Sequence, residues 1–121
     1  MIYHILTVSE WQSAYRSGCY RPPSLEQEGF IHFSQAHQVI AVANAFYRTA
    51  GDLVLLGVEP ARLTAPLRRE PPAPLAGAPP LGLSTSELFP HLYGPLNLDA
   101  IVMAWPLLLG ADGFQLPPGV T

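Results

Sequence analysis

The chain of 121 residues carries nine acidic side chains, six arginines and no lysine, for a net charge of −3. No basic stripe is therefore present to neutralise a nucleic-acid backbone. Hydrophobic residues make up 49% and charged residues 12%, which excludes the composition of a disordered chain and is enough for one core without a disulfide or structural metal. The start Met1-Ile2-Tyr3-His4 lacks the basic, long-apolar pattern of a signal peptide, and no run of about 18 apolar residues occurs. With a single cysteine, Cys19, no internal disulfide can form, and the expected setting is the cytoplasm.

The alternating, β-branched and aromatic run Ile2 to Thr7 predicts a first strand with His4 on one face. Thr7 followed by Glu10 is a capping box, so a helix is expected over 8–16, ended by Gly18. Residues 20–25 read as extended loop, because Pro22 and Pro23 lie side by side. Phe30 to Phe33 reads as a second short strand on which Phe30 and His32 share a face.

Ser34 is a suitable N-cap for a helix over 35–49, in which Val39, Val42, Ala43 and Phe46 have amphipathic spacing. The apolar run Leu53 to Val58 is too short for a helix between Gly51 and Pro60, so it predicts a central strand. One helical turn is expected at 60–63 and an edge strand at 67–70. Residues 71–86 are rich in proline and alanine without a period, and are expected to form a mobile loop. Residues 88–96 are expected to be extended but interrupted, and 100–105 to form a final strand. A loose tail is expected over 110–121. The whole is one α+β domain, with its core over about residues 2–107.

Histidine is the side chain best able to change charge near neutral pH. His4 and His32 lie on predicted strands, and His91 sits between Pro90 and a Gly94 bend, so these three are expected to converge on one polar pocket. Tyr93 and Asn97 are its expected hydrogen-bonding neighbours. His37 is expected on the solvated side of its helix. The three histidines lack the close pairwise spacing of metal motifs, and no metal is expected. Cys19 has no clear activating base, and neither a phosphate-binding Gly-rich loop nor a Gly-x-Ser-x-Gly turn occurs.

Several motifs recur in order: Ile2-Tyr3-His4-Ile5, Tyr20-Arg21-Pro22-Pro23-Ser24-Leu25, Glu28-Gly29-Phe30-Ile31-His32-Phe33-Ser34, Val42-Ala43-Asn44, and Glu87-Leu88-Phe89-Pro90-His91-Leu92-Tyr93-Gly94-Pro95-Leu96-Asn97. Together they closely resemble the bacterial and plant family catalogued as domain of unknown function 952, over about residues 2–107. The segment 71–86 looks longer than is usual in that family.

The resemblance implies a fold similar to that of ADP-ribosyltransferases: a small split mixed β-sheet flanked by two main helices, with NAD or ADP-ribose as the candidate ligand. It implies ligand binding by His4, Thr7, His32, Ser34, Tyr93 and Asn97, with His4 at the ribose position. His91 and Glu87 are the residues it offers for catalysis. Two readings follow: a domain that binds NAD or a related nucleotide, and a divergent ADP-ribosyltransferase or NAD-cleaving enzyme. Breaking a nicotinamide–ribose bond develops oxocarbenium character, which a carboxylate stabilises through the sugar 2-hydroxyl.

Overall fold

A computed structural model of the chain describes residues 1–72, 83 and 86–120. Strand β1 (Ile2–Thr7) leads into helix α1 (Val8–Ser17), and the capping box forms as the sequence predicts. The Glu10 N–H donates to Thr7 Oγ1 at 3.1 Å and the Thr7 N–H to Glu10 Oε1 at 2.9 Å. Gly18 closes the helix with φ of 86° while its N–H donates to the Ala14 carbonyl. That backbone geometry is inexpensive only for glycine.

A two-residue strand β2 (Cys19–Tyr20) and a five-residue helix α2 (Pro23–Gln27) come next. The segment expected as extended loop is thus partly helical. Pro23 stands at a helix start, where its missing N–H costs nothing and its fixed φ suits the turn, so the proline pair opens α2 instead of preventing it. Strand β3 (Ile31–His32) follows, then a 3₁₀ turn (Ala36–Gln38) and helix α3 (Val39–Phe46). The helix predicted over 35–49 is therefore shorter, although Val39 and Ala43 of its stripe are fully buried.

Strand β4 (Leu53–Val58) is buried along its whole length, and a 3₁₀ turn at Pro60–Arg62 leads to strand β5 (Leu67–Glu70). Both strands keep the bounds that the sequence predicts. The expected loop over 71–86 lies for the most part outside the described residues. Strand β6 (Phe89–Leu92), a bend at Gly94 and strand β7 (Leu96–Asn97) make up the interrupted extended segment. Strand β8 (Ile101–Leu107) and the short strands β9 (Leu109–Gly110) and β10 (Gly113–Phe114) complete the chain. The residues read as a loose tail bring Phe114 and Val120 into contact with the core.

The architecture is α+β, with several antiparallel sheets and few helices. The larger sheet has the order β1-β4-β8, and the smaller one β3-β6-β5. Every strand pairing among the described residues is antiparallel, which corrects the expected mixed sheet. A parallel pair needs a crossover between neighbouring strands. Here α1 leads from β1 to β2 and α3 from β3 to β4, each time into a different sheet. The two three-stranded sheets are joined where Tyr3 and Ser34 exchange backbone hydrogen bonds, each 2.8 Å long.

Because successive side chains of β4 point to opposite sides and all are buried, the central strand of the larger sheet contributes to a core on each face. Val54, Leu56 and Val58 join Ile2, Leu6, Ile31, Phe33, Leu92 and Leu96 in a first core between the sheets. Leu53 and Leu55 join Tyr3, Ile5, Val39, Ala43 and Phe114 in a second core under α3. No helix among the described residues is long and apolar enough to cross a membrane.

Candidate functional site

The smaller sheet has one face in the first core, and its other face carries the chemistry. Since alternate strand residues point to opposite sides, Ile31 and Leu92 face the core while Phe30, His32, His91 and Tyr93 project from the outer face. Register places His32 directly opposite His91, and His91 directly opposite Arg68. One cross-strand row therefore holds two imidazoles and a guanidinium, with Glu70 two residues beyond Arg68 on the same side.

His91 is buried. Its Nδ1–H donates to Glu70 Oε1 at 2.9 Å, and the Tyr93 hydroxyl donates to the same oxygen at 2.5 Å. Phe30 lies flat on the His91 ring, with centroids 4.1 Å apart and planes 20° apart. The imidazole is thus fixed in orientation and in tautomer, and among the described residues no partner engages its Nε2. Donation by Tyr93 first, and by His91 second, holds Glu70 below the ordinary carboxylate range. The same bond to Glu70 raises the Tyr93 phenol. The Arg68 guanidinium lies over the Tyr93 ring, 5.2 Å from its centroid.

His32 has its own carboxylate: Nε2–H donates to Glu28 Oε2 at 2.9 Å. Its ring meets that of His91 edge-on, with centroids 5.7 Å apart. Burial lowers the His32 pKa, and Glu28 opposes that shift. Two histidines, each backed by a carboxylate, therefore stand side by side with Phe30 and Tyr93 at their flank.

His4 lies on the other side of β3, against Phe33 and Tyr20 in the interior. Its Nδ1–H donates to the His32 carbonyl at 2.6 Å and its Nε2 accepts from the Tyr20 hydroxyl at 2.9 Å. Burial drives its pKa down to about 4, so near neutral pH the ring is uncharged with both nitrogens committed to protein partners. The structure brings His32, His91 and Tyr93 together and leaves His4 behind them, linked to the site through the His32 carbonyl.

The other predicted site residues have local duties. The Thr7 hydroxyl caps α1. Ser34 links the two sheets through its main chain. The Asn97 amide donates to the Arg62 carbonyl and to Asp99, and its oxygen accepts from the Thr64 N–H. Glu87 is held by the buried Gln38 amide at 2.8 Å and by His37. Those two bonds, Gln38 first, lower its pKa. No contact joins Glu87 to His91 among the described residues. His37 remains mostly solvent-exposed, as its helix position predicts.

Three residues that complete the cluster, Glu28, Arg68 and Glu70, are not singled out by the sequence reading. Alternation along the edge strand 67–70 puts Arg68 and Glu70 on one face, but only the pairing of β5 with β6 shows what they face. A separate open groove of about 420 Å³ runs between α1 and residues 19–23.

Fold and site together define a small α+β protein with a histidine–carboxylate cluster on the face of its smaller sheet turned away from the first core. The profile of the family described as "Protein of unknown function (DUF952)" matches residues 5–104, and the chain belongs to that family. The chain is similar to protein CC0527 from Caulobacter crescentus, known from X-ray crystallography. The two are 34% identical, with 94% of this chain and 92% of that chain covered and a TM-score of 0.75. The solution NMR structure of CC0527 matches at 30% identity, over 93% and 89% of the two chains, with a TM-score of 0.65. No match was found among curated proteins.

Proposed function

We propose that the outer face of the smaller sheet binds a small phosphorylated ligand of nucleotide type, for which NAD and ADP-ribose are suitable probes. His91 is its acid–base group. The observation that carries this reading is the double anchoring of Glu70 by His91 and Tyr93, with Phe30 flat against the imidazole. A merely structural histidine is commonly satisfied at both nitrogens, as His4 is. His91 instead is held at Nδ1 so that Nε2 is the nitrogen left for a ligand. Arg68, in the same row, suits a phosphate, and the Phe30 and Tyr93 rings suit a base.

The split sheets are in keeping with an ADP-ribosyltransferase-like architecture. Transfer of ADP-ribose is the weaker chemical reading, because it calls for a carboxylate turned toward the sugar. Glu28 and Glu70 are both turned toward imidazoles. The reading is tested by thermal melting with NAD, ADP-ribose and AMP. A ligand that binds only the folded state stabilises by about 2.7 kcal/mol at a hundredfold excess over Kd, a rise of several degrees for a domain of this size. His91→Ala is expected to remove the rise. If the wild-type protein shows no rise with any of the three at millimolar concentration, the nucleotide reading is wrong.

A further inference from the structure

We infer that His32 and His91 form a general acid–base pair that opens a cyclic phosphodiester of a small nucleotide. This rests on the proposed site and assigns it a reaction. Phosphoryl transfer to water needs a base for the attacking water, an acid for the leaving oxygen, and a cation for the charge that grows on the phosphoryl oxygens. One cross-strand row presents all three, with His32 opposite His91 and His91 opposite Arg68.

Each imidazole is held by a carboxylate at one nitrogen and can exchange a proton at the other; in the inferred reaction His91 is the base and His32 the acid. Glu70 holds the Nδ1 proton of His91, so Nε2 offers its lone pair and serves as base. Glu28 holds the Nε2–H of His32, so His32 acts as acid when Nδ1 is protonated as well, and its burial makes that proton ready to leave. In the step, the water oxygen bonds to phosphorus while a water proton passes to His91 Nε2. The bond from phosphorus to one of the two ribose oxygens breaks, and that oxygen receives the His32 Nδ1 proton. The product is a phosphomonoester. Solvent then takes the proton from His91 and returns one to His32, so no oxidant, reductant or further reactant is consumed. With six arginines, no lysine and a net charge of −3, the chain suits a mononucleotide better than a polymer.

The test is incubation with millimolar adenosine 2′,3′-cyclic phosphate, followed by phosphorus NMR. Turnover to the monophosphate is expected, with His91→Gln and His32→Gln each slowing it about 100-fold or more. Circular dichroism and melting establish that both variants fold, and Tyr93→Phe, which leaves both imidazoles in place, is expected to slow turnover less than either. Absence of turnover by the folded wild-type protein overturns the inference, as does turnover that survives in both histidine variants. A melting rise with AMP but no turnover leaves the binding reading standing and removes only the reaction. If neither is seen, both fail.

Discussion

His4 and His91 show how far neighbours decide what one residue type does. Their strand settings look alike in the sequence, yet His4 is closed off by Tyr20 and the His32 carbonyl, while His91 is oriented by Glu70 with one nitrogen to spare. The difference has a consequence for stability. The His4 pKa falls from 6.5 unfolded to about 4 folded, so between these values the unfolded chain binds a proton that the native chain does not. Stability is therefore full above pH 6.5 and declines as pH falls toward 4. At about 1.4 kcal/mol per pH unit, the loss from this residue amounts to about 3 kcal/mol. The lowered pKa of His32 acts in the same direction. Urea unfolding at pH 7 and pH 4.5 checks this, and His4→Gln is expected to flatten the dependence even though it lowers stability overall. Below the unfolded value of 4.5, Glu70 adds a second decline, because its folded pKa is depressed and its two hydrogen bonds weaken as it protonates. Glu70→Gln is expected to make the curve shallower in that lower range.

Among elements, β4 and β5 were legible to the residue because their information is local: an apolar run framed by Gly51 and Pro60, and a short alternating segment. Gly57 adds a detail that only packing explains. A Cβ there would lie 2.9 Å from both the Trp105 ring and the Met1 Sδ, at the point where the β4–β8 register shifts. Gly57→Ala is expected to destabilise by about 1–3 kcal/mol, read from denaturant midpoints, because the partly buried, rigid indole cannot retreat as freely as Met1. Sheet partnership was less legible. His32, His91 and Tyr93 could be named from their motifs, but Glu70 joins them only through the β5–β6 register, a contact that no periodicity encodes. The pairing of Glu87 with Gln38 is long-range in the same way. The family resemblance offers Glu87 beside His91 for catalysis, whereas the carboxylate that bonds His91 is Glu70, on the paired strand.

At the scale of the molecule, the larger sheet separates two cores with different duties. The first core lies directly beneath the histidine row, since Ile31 and Leu92 alternate with His32 and His91 on β3 and β6. The second core lies across the β1-β4-β8 sheet, closed by α3 and by Phe114 and Val120 from the C-terminal segment. Removing a large side chain from either core leaves a cavity costing about 2–5 kcal/mol. The two losses differ in what else they disturb. Leu92→Ala takes away support on the strand that carries His91 and Tyr93, so it is expected to weaken nucleotide binding as well as stability. Phe114→Ala opens the second core, with a whole sheet between the cavity and the site, and is expected to lower the melting temperature by a similar amount. Under conditions where it remains folded, it should keep the full ligand-induced rise. Paired melting curves with and without ADP-ribose separate the two effects. If Phe114→Ala loses the rise as completely as Leu92→Ala does, the larger sheet is not the partition that this arrangement of cores requires.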